Sequence, residues 1–139
     1  MQEGRILALD VGKRRIGLAL SDELGVTAQG LETLERTNIR DDLAQLAQLA
    51  AEKNVSLILL GYPLHMSGQA GRQTEYVRNF GERLQAATGI RIEFWDERLT
   101  TVEAEQMLRE AKVHWRKRRG LVDQVAATVI LRDYLAARR

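Results

Sequence analysis

Three carboxylates in this sequence sit where a packing side chain would ordinarily be found. Asp10 closes the apolar run RILALD, directly before Gly12, Lys13, Arg14, Arg15 and Gly17. Glu97 follows the alternating stretch IRIEFW and Asp96. Asp123 lies between Val122 and Val125, one turn before Ala126 and Ala127. An acid on a face meant for packing needs a partner. Each has a plain structural reading when taken alone. Asp10 could bond the basic turn, Glu97 could pair with Arg98, and Asp123 could sit well at the positive end of a helix. Brought together, like charges repel and push each other's pKa upward, and divalent cations remove that repulsion. Hard oxygen ligands select Mg²⁺ or Mn²⁺. Two such ions about 4 Å apart can clamp a phosphodiester, one activating a water and the other stabilising the leaving 3′ oxygen.

The cations point to the same kind of substrate. Net charge is only +2 over 139 residues, yet the positive charge is clustered. Lys13, Arg14 and Arg15 form one group, Arg116, Lys117, Arg118 and Arg119 another, and Arg138 and Arg139 end the sequence. Clusters of this sort in a nearly neutral protein suggest a polyanion, commonly nucleic acid. The plainer alternative is a solvated loop and tail. Arg98, beside Glu97, is a further candidate phosphate contact. Trp115 within the second cluster could stack on an unpaired base or anchor its loop. His65 and His114 could move a proton or simply be solvated.

These residues depend on the elements that carry them. Residues 5–10 and 15–21 read as two strands joined by a tight glycine-containing turn, and a weaker third spans about 27–34. Ile39, Leu43, Leu46, Ala47 and Ala50 recur at helical spacing, which predicts an amphipathic helix over 39–53 capped by Thr37 or Asn38. The continuous apolar run 55–61 is the mark of a strand covered on both faces. A loop with the only proline follows. A helix over 72–87 carries Tyr76, Phe80, Leu84 and Ala87 on one stripe and ends near Thr88–Gly89. Residues 90–95 alternate as a strand. Thr100 and Glu103 form a capping box for another helix, residues 112–120 read as a basic loop, and the last helix runs over 121–136. Three sequential strands followed by α/β alternation predict an α/β fold with a mixed central sheet, a three-strand meander plus parallel strands, and helices on both faces. In such sheets ligands gather at the carboxyl ends of parallel strands, which is where Asp10, Gly61 and Glu97 fall.

Composition narrows the classes. At 45% hydrophobic and 29% charged, the sequence is that of a globular protein, and residues 1–139 suffice for one domain. The absence of cysteine removes disulfides, thiolate metal sites and cysteine nucleophiles. No apolar run approaches a membrane span, and MQEGR starts no signal-peptide pattern. The expectation is a cytoplasmic protein with no membrane partner, whose oligomeric state is open between monomer and weak homodimer.

Four motifs together carry a family resemblance: DVGKRRIG at 10–17, GYPLHMSG at 61–68, DERLTT at 96–101 and VDQVAA at 122–127. In this order, over about residues 5–135, the sequence resembles the YqgF/RuvX family. The resemblance implies a ribonuclease H-like fold related to the junction resolvase RuvC. It also implies a nuclease that matures the 5′ end of pre-16S ribosomal RNA, some members being proposed as resolvases of four-way DNA. It places the acid triad on Asp10, Glu97 and Asp123, and makes precursor ribosomal RNA or branched DNA the partner. The family's loop usually reads GLPLNMDG. Here Tyr62, His65 and Ser67 depart from it, which leaves the metal site untouched but not the loop's contacts to substrate. Two rival functions follow from the residues. Asp10, Gly12 and Gly17 also match the D-x-G-x-x-x-x-G phosphate loop of the actin and sugar-kinase superfamily, but that site needs two lobes and this sequence supplies one. The other rival is a nucleic-acid binding factor without catalysis, whose affinity would survive loss of the acids.

Overall fold

A computed structural model describes residues 4–62, 71–97, 106–107, 109–110 and 121–138. Strand β1 (Arg5–Val11) turns back into β2 (Arg15–Ser21) and then β3 (Ala28–Glu35), an antiparallel meander. Helix α1 (Ile39–Glu52) leads to β4 (Val55–Tyr62), which pairs parallel to β1. Helix α2 (Arg72–Thr88) leads to β5 (Arg91–Asp96), parallel to β4. The last described helix, α3, is Leu121–Ala137. The sheet order is β3-β2-β1-β4-β5. This is the mixed sheet expected from the sequence, with helices on both faces.

Local chemistry explains the turns. The Gly12 N–H donates to the Arg15 carbonyl at 2.9 Å, closing the β1–β2 hairpin. In the next turn the Asp22 carboxylate accepts from the Val26 and Thr27 amides at 2.7 and 3.0 Å, and Gly25 takes a left-handed φ of 70°. Asn38 caps α1 by accepting from the Asp41 amide at 2.9 Å. Gly89, at φ 70°, ends α2 in the left-handed conformation.

Alternation along the strands divides the core in two. Leu7, Leu9 and Val11 of β1, with Ile58 and Leu60 of β4, pack under α1 and α2. Ile6 and Ala8, with Ala19, Leu57 and Leu59, pack under Ala127, Ile130, Leu131 and Leu135 of α3. The apolar run of β4 is therefore buried on both faces, as read from its sequence.

Some details differ from expectation. The buried stripe of α2 is Thr74, Val77, Phe80, Gly81 and Leu84, whereas Tyr76 is 42% exposed and Ala87 is also exposed. The helix is rotated because Gly81 lets the sheet approach; a Cβ there would meet both Leu60 and Phe94 at 2.9 Å. On α1 the acid Asp42 is buried. It is paired with Arg36 at 3.0 Å, with the two side chains only 1% and 9% exposed. Removing one partner of such a pair costs about 3–5 kcal/mol, since the other is left charged and dry. Residues 106–107 and 109–110 are helical, within the helix expected after Thr100; the capping box at Thr100 and Glu103 and the basic loop lie outside the described residues. Among the described residues no helix is long and apolar enough to cross a membrane.

Candidate active site

The three acids come from three elements. Asp10 is the sixth residue of β1, on the alternation that places Ile6 and Ala8 toward α3. Its register partner on β2 is Gly17. Asp123 stands in the first turn of α3. Glu97 follows the end of β5. Since β4 lies between β1 and β5, Glu97 has to reach across β4 to approach Asp10.

Glycines make that approach possible. At Gly61 on β4, a Cβ would meet the Glu97 carboxylate oxygen Oε1 at 3.0 Å and the Ile130 Cδ1 at 2.7 Å. The bare backbone there is the space the Glu97 side chain occupies. At Gly17, a Cβ would run into the main-chain carbonyl of Asp123, so the glycine lets the start of α3 lie directly on β2 beside Asp10. One strand further out, Gly30 leaves room for the Gln124 side chain, whose Nε2 donates to the Leu31 carbonyl at 2.9 Å. The first turn of α3 is thus docked on β2 and hydrogen-bonded to β3, and Asp123 is fixed by both contacts.

The electrostatics register the resulting crowding. Burial, followed by the charge of Asp123, raises the Asp10 carboxyl from 3.8 to about 6. Burial, followed by the charges of Asp10 and Asp96, raises Glu97 from 4.5 to about 7. The three acids therefore form one interacting series, Glu97 to Asp10 to Asp123, with Asp96 beside it. Among the described residues, no cation forms an ion pair with Asp10 and no hydrogen bond is donated to its carboxylate. The reading in which Asp10 merely secures the basic turn is not what the fold does. Among the described residues, no group of three or more acids and imidazoles stands ready as a metal cage. The donor chemistry nonetheless suits a hard divalent cation, which favours carboxylate oxygens and would offset the repulsion that raises Asp10 and Glu97.

The candidate phosphate contacts divide. Lys13 and Arg14 are exposed at the tip of the β1–β2 turn. Arg15 is engaged with Glu35 at 3.1 Å, across the β2–β3 pair. Arg98, Arg116, Lys117, Arg118 and Arg119 lie outside the described residues, as do His65, Ser67, His114 and Trp115. Tyr62 is described: it stacks at a tilt on Phe94, centroids 5.1 Å apart, and accepts from Arg78 at 2.7 Å. Sequence reasoning missed Gln124, although it adjoins Asp123, because an exposed-looking polar residue at a helix start carries no signal of what it bonds.

Comparison with known proteins bears on the family and the fold. The model of the RuvX family, described as Holliday junction resolvase, matches residues 4–137. A protein of Moorella thermoacetica named "Putative pre-16S rRNA nuclease" is 51% identical over 131 residues, covering 94% of this chain and 94% of its own length. One of the same name from Syntrophus aciditrophicus is 51% identical over 133 residues, covering 96% of this chain and 89% of its own. Among solved structures, Thermus thermophilus RuvC bound to a Holliday junction superposes with a TM-score of 0.61 at 12% identity, covering 96% of each chain. The fowlpox virus Holliday junction resolvase gives 0.58 at 11% identity, covering 97% of this chain and 99% of its own. At such low identity these two speak for the fold, which is the one RuvC has. By matched length and by identity to its relatives, the chain belongs to the RuvX family.

Proposed function

We propose that this protein is a metal-dependent endonuclease that hydrolyses phosphodiester bonds, acting at the 5′ end of precursor 16S ribosomal RNA. The observation that carries the reading is the approach of Glu97 over Gly61 and of the Asp123 turn onto Gly17, the strand partner of Asp10, which crowds the acids and raises Asp10 and Glu97. Membership of the RuvX family and the names of the relatives supply the substrate class.

In this reading Asp10, Glu97 and Asp123 hold Mg²⁺ or Mn²⁺, as two ions. When bound, such ions polarise a water and a phosphoryl oxygen and offset charge on the leaving oxygen. The chain's own share is positional. Asp10 is rigid in the strand, Asp123 is fixed by the docked helix turn, and Glu97 reaches over Gly61. At neutral pH Glu97 is still partly protonated, so a cation held there would compete with that proton. Lys13 and Arg14, at the tip of the turn that follows Asp10, meet flanking phosphates.

The description of the family and the fold it shares with RuvC favour a second reading, resolution of four-way DNA junctions. One assay separates the two. Purified protein is given Mn²⁺ or Mg²⁺ and either RNA spanning the 16S 5′ end or a four-way DNA junction. Cutting of the RNA alone supports the processing nuclease, and cutting of the junction alone supports the resolvase. Binding of either with no cutting returns the protein to the class of non-catalytic binding factors.

A further inference from the structure

The β1–β2 turn is held from below by a residue that belongs to neither strand. Arg36 follows β3, and its backbone N–H donates to the Arg14 carbonyl at 2.9 Å. Its side chain then reaches the other end of the same turn, where Nη1 donates to the Gly12 carbonyl at 2.8 Å. The guanidinium is itself fixed on three sides. Nε donates to Asp42 Oδ2 at 3.0 Å, and Nη1 also donates to the Tyr76 hydroxyl at 2.6 Å. Its Cζ lies 5.6 and 5.4 Å from the ring centroids of Tyr76 and Phe80. Asp42 is satisfied in turn, since its Oδ1 accepts from the Thr37 amide at 3.1 Å.

An ion pair whose only task was to tie α1 to the sheet would not need a second donor aimed at a turn carbonyl. Gly12 stands two residues after Asp10, and Lys13 and Arg14 occupy the tip between the two carbonyls that Arg36 holds. We propose that Arg36 is a positioning residue. By gripping the main chain at Gly12 and Arg14 it presents the end of β1, with Asp10, and the two exposed cations as one rigid unit. Arginine is required, because only a planar fork reaches an acid and a carbonyl at once, whereas a lysine has one charged nitrogen for both.

The inference rests on the nuclease reading for its functional half, so the test has a structural readout as well. Arg36→Lys keeps a cation for Asp42 but loses the bond to Gly12. Asp42→Asn weakens the ion pair while leaving the guanidinium on the turn. Three quantities are compared with wild type: the melting temperature, amide hydrogen exchange at Gly12 and residue 36, whose N–H groups close the turn, and kcat for RNA spanning the 16S 5′ end, all activities taken well below melting. The expected result is a dissociation of effects. Arg36→Lys exchanges at least tenfold faster in the turn and loses at least tenfold in kcat. Asp42→Asn melts lower with its turn protection and kcat unchanged. Turn protection in Arg36→Lys equal to wild type would overturn the proposal, as would a kcat that tracks melting temperature in both variants. Should Arg36→Lys fail to fold, Asp42→Asn decides: retained protection and kcat support the clamp, and loss of both with the melting temperature refutes it. If wild type cuts no substrate, the nuclease reading falls, and the exchange pattern alone decides whether Arg36 holds the turn.

Discussion

At the scale of the residue, the site is a place where negative charge is kept at a cost. Asp10 and Glu97 hold their protons up to about pH 6 and 7, against 3.8 and 4.5 in the unfolded chain. Between about pH 4 and 7 the folded state binds protons that the unfolded state has released. Stability of the metal-free protein from these two groups is therefore greatest at the acid end and is lost as pH rises through 6 and 7. Urea unfolding in the presence of a chelator should show a fall of about 4 kcal/mol from pH 5 to pH 7.5. Asp10→Asn removes one of the repelling charges and keeps the shape. It should raise metal-free stability at pH 7.5 by about 1 kcal/mol while abolishing cleavage, which equilibrium unfolding and the cleavage assay together check. A variant that loses stability would mean that Asp10 serves the fold. The acids were legible in the sequence because each interrupts an apolar pattern. Arg36 and Asp42 were not, since one charge after a strand and one in the first turn of a helix look like ordinary surface. Only the fold shows that they bury each other.

At the scale of the element, glycines set how closely α3 and Glu97 approach the sheet. Gly17→Ala places a methyl group into the Asp123 carbonyl, and backbone cannot give way as a flexible side chain can. It should cost about 3 kcal/mol and displace the first turn of α3, with loss of cleavage. Gly61→Ala presses instead on the tips of Ile130 and Glu97, which can move. It should unfold at nearly the wild-type midpoint yet cut more slowly, because Glu97 is pushed off β4. Comparing melting and cleavage in the two variants checks both statements. Among the described residues, the strands β1 to β5 and the helices α1, α2 and α3 were legible from periodicity to within a residue or two. The buried face of α2 was not, because the stripe through Tyr76 and the one through Val77 are both apolar. What decides between them is Gly81 against Leu60 and Phe94, a contact between residues far apart in sequence.

At the scale of the molecule, the strand order β3-β2-β1-β4-β5 brings together residues that the sequence separates widely. β1 and β4 are neighbours and parallel, so the carboxyl ends of β1, β4 and β5 fall along one side of the sheet, and the first turn of α3, which packs on one face, lies beside the end of β1. The sequence implied the mixed sheet, but the meeting of Glu97 with Asp10 depends on this order, which periodicity does not encode. The exposed pair Lys13 and Arg14 lies on the same side, at the turn after Asp10. Replacing both with alanine should weaken nucleic-acid binding regardless of sequence and reduce the slope of log affinity against log salt by about 1–2. An unchanged slope in a binding titration at several salt concentrations would make that turn mere surface. The most direct test of whether Asp10, Glu97 and Asp123 together hold the two cations is calorimetric titration of Mn²⁺ at pH 7.5 into wild type, Asp10→Asn, Glu97→Gln and Asp123→Asn. Each single change should weaken binding at least tenfold, and the protons released on binding should diminish in the Asp10 and Glu97 variants. Wild-type Mn²⁺ affinity in any of the three would contradict that joint role.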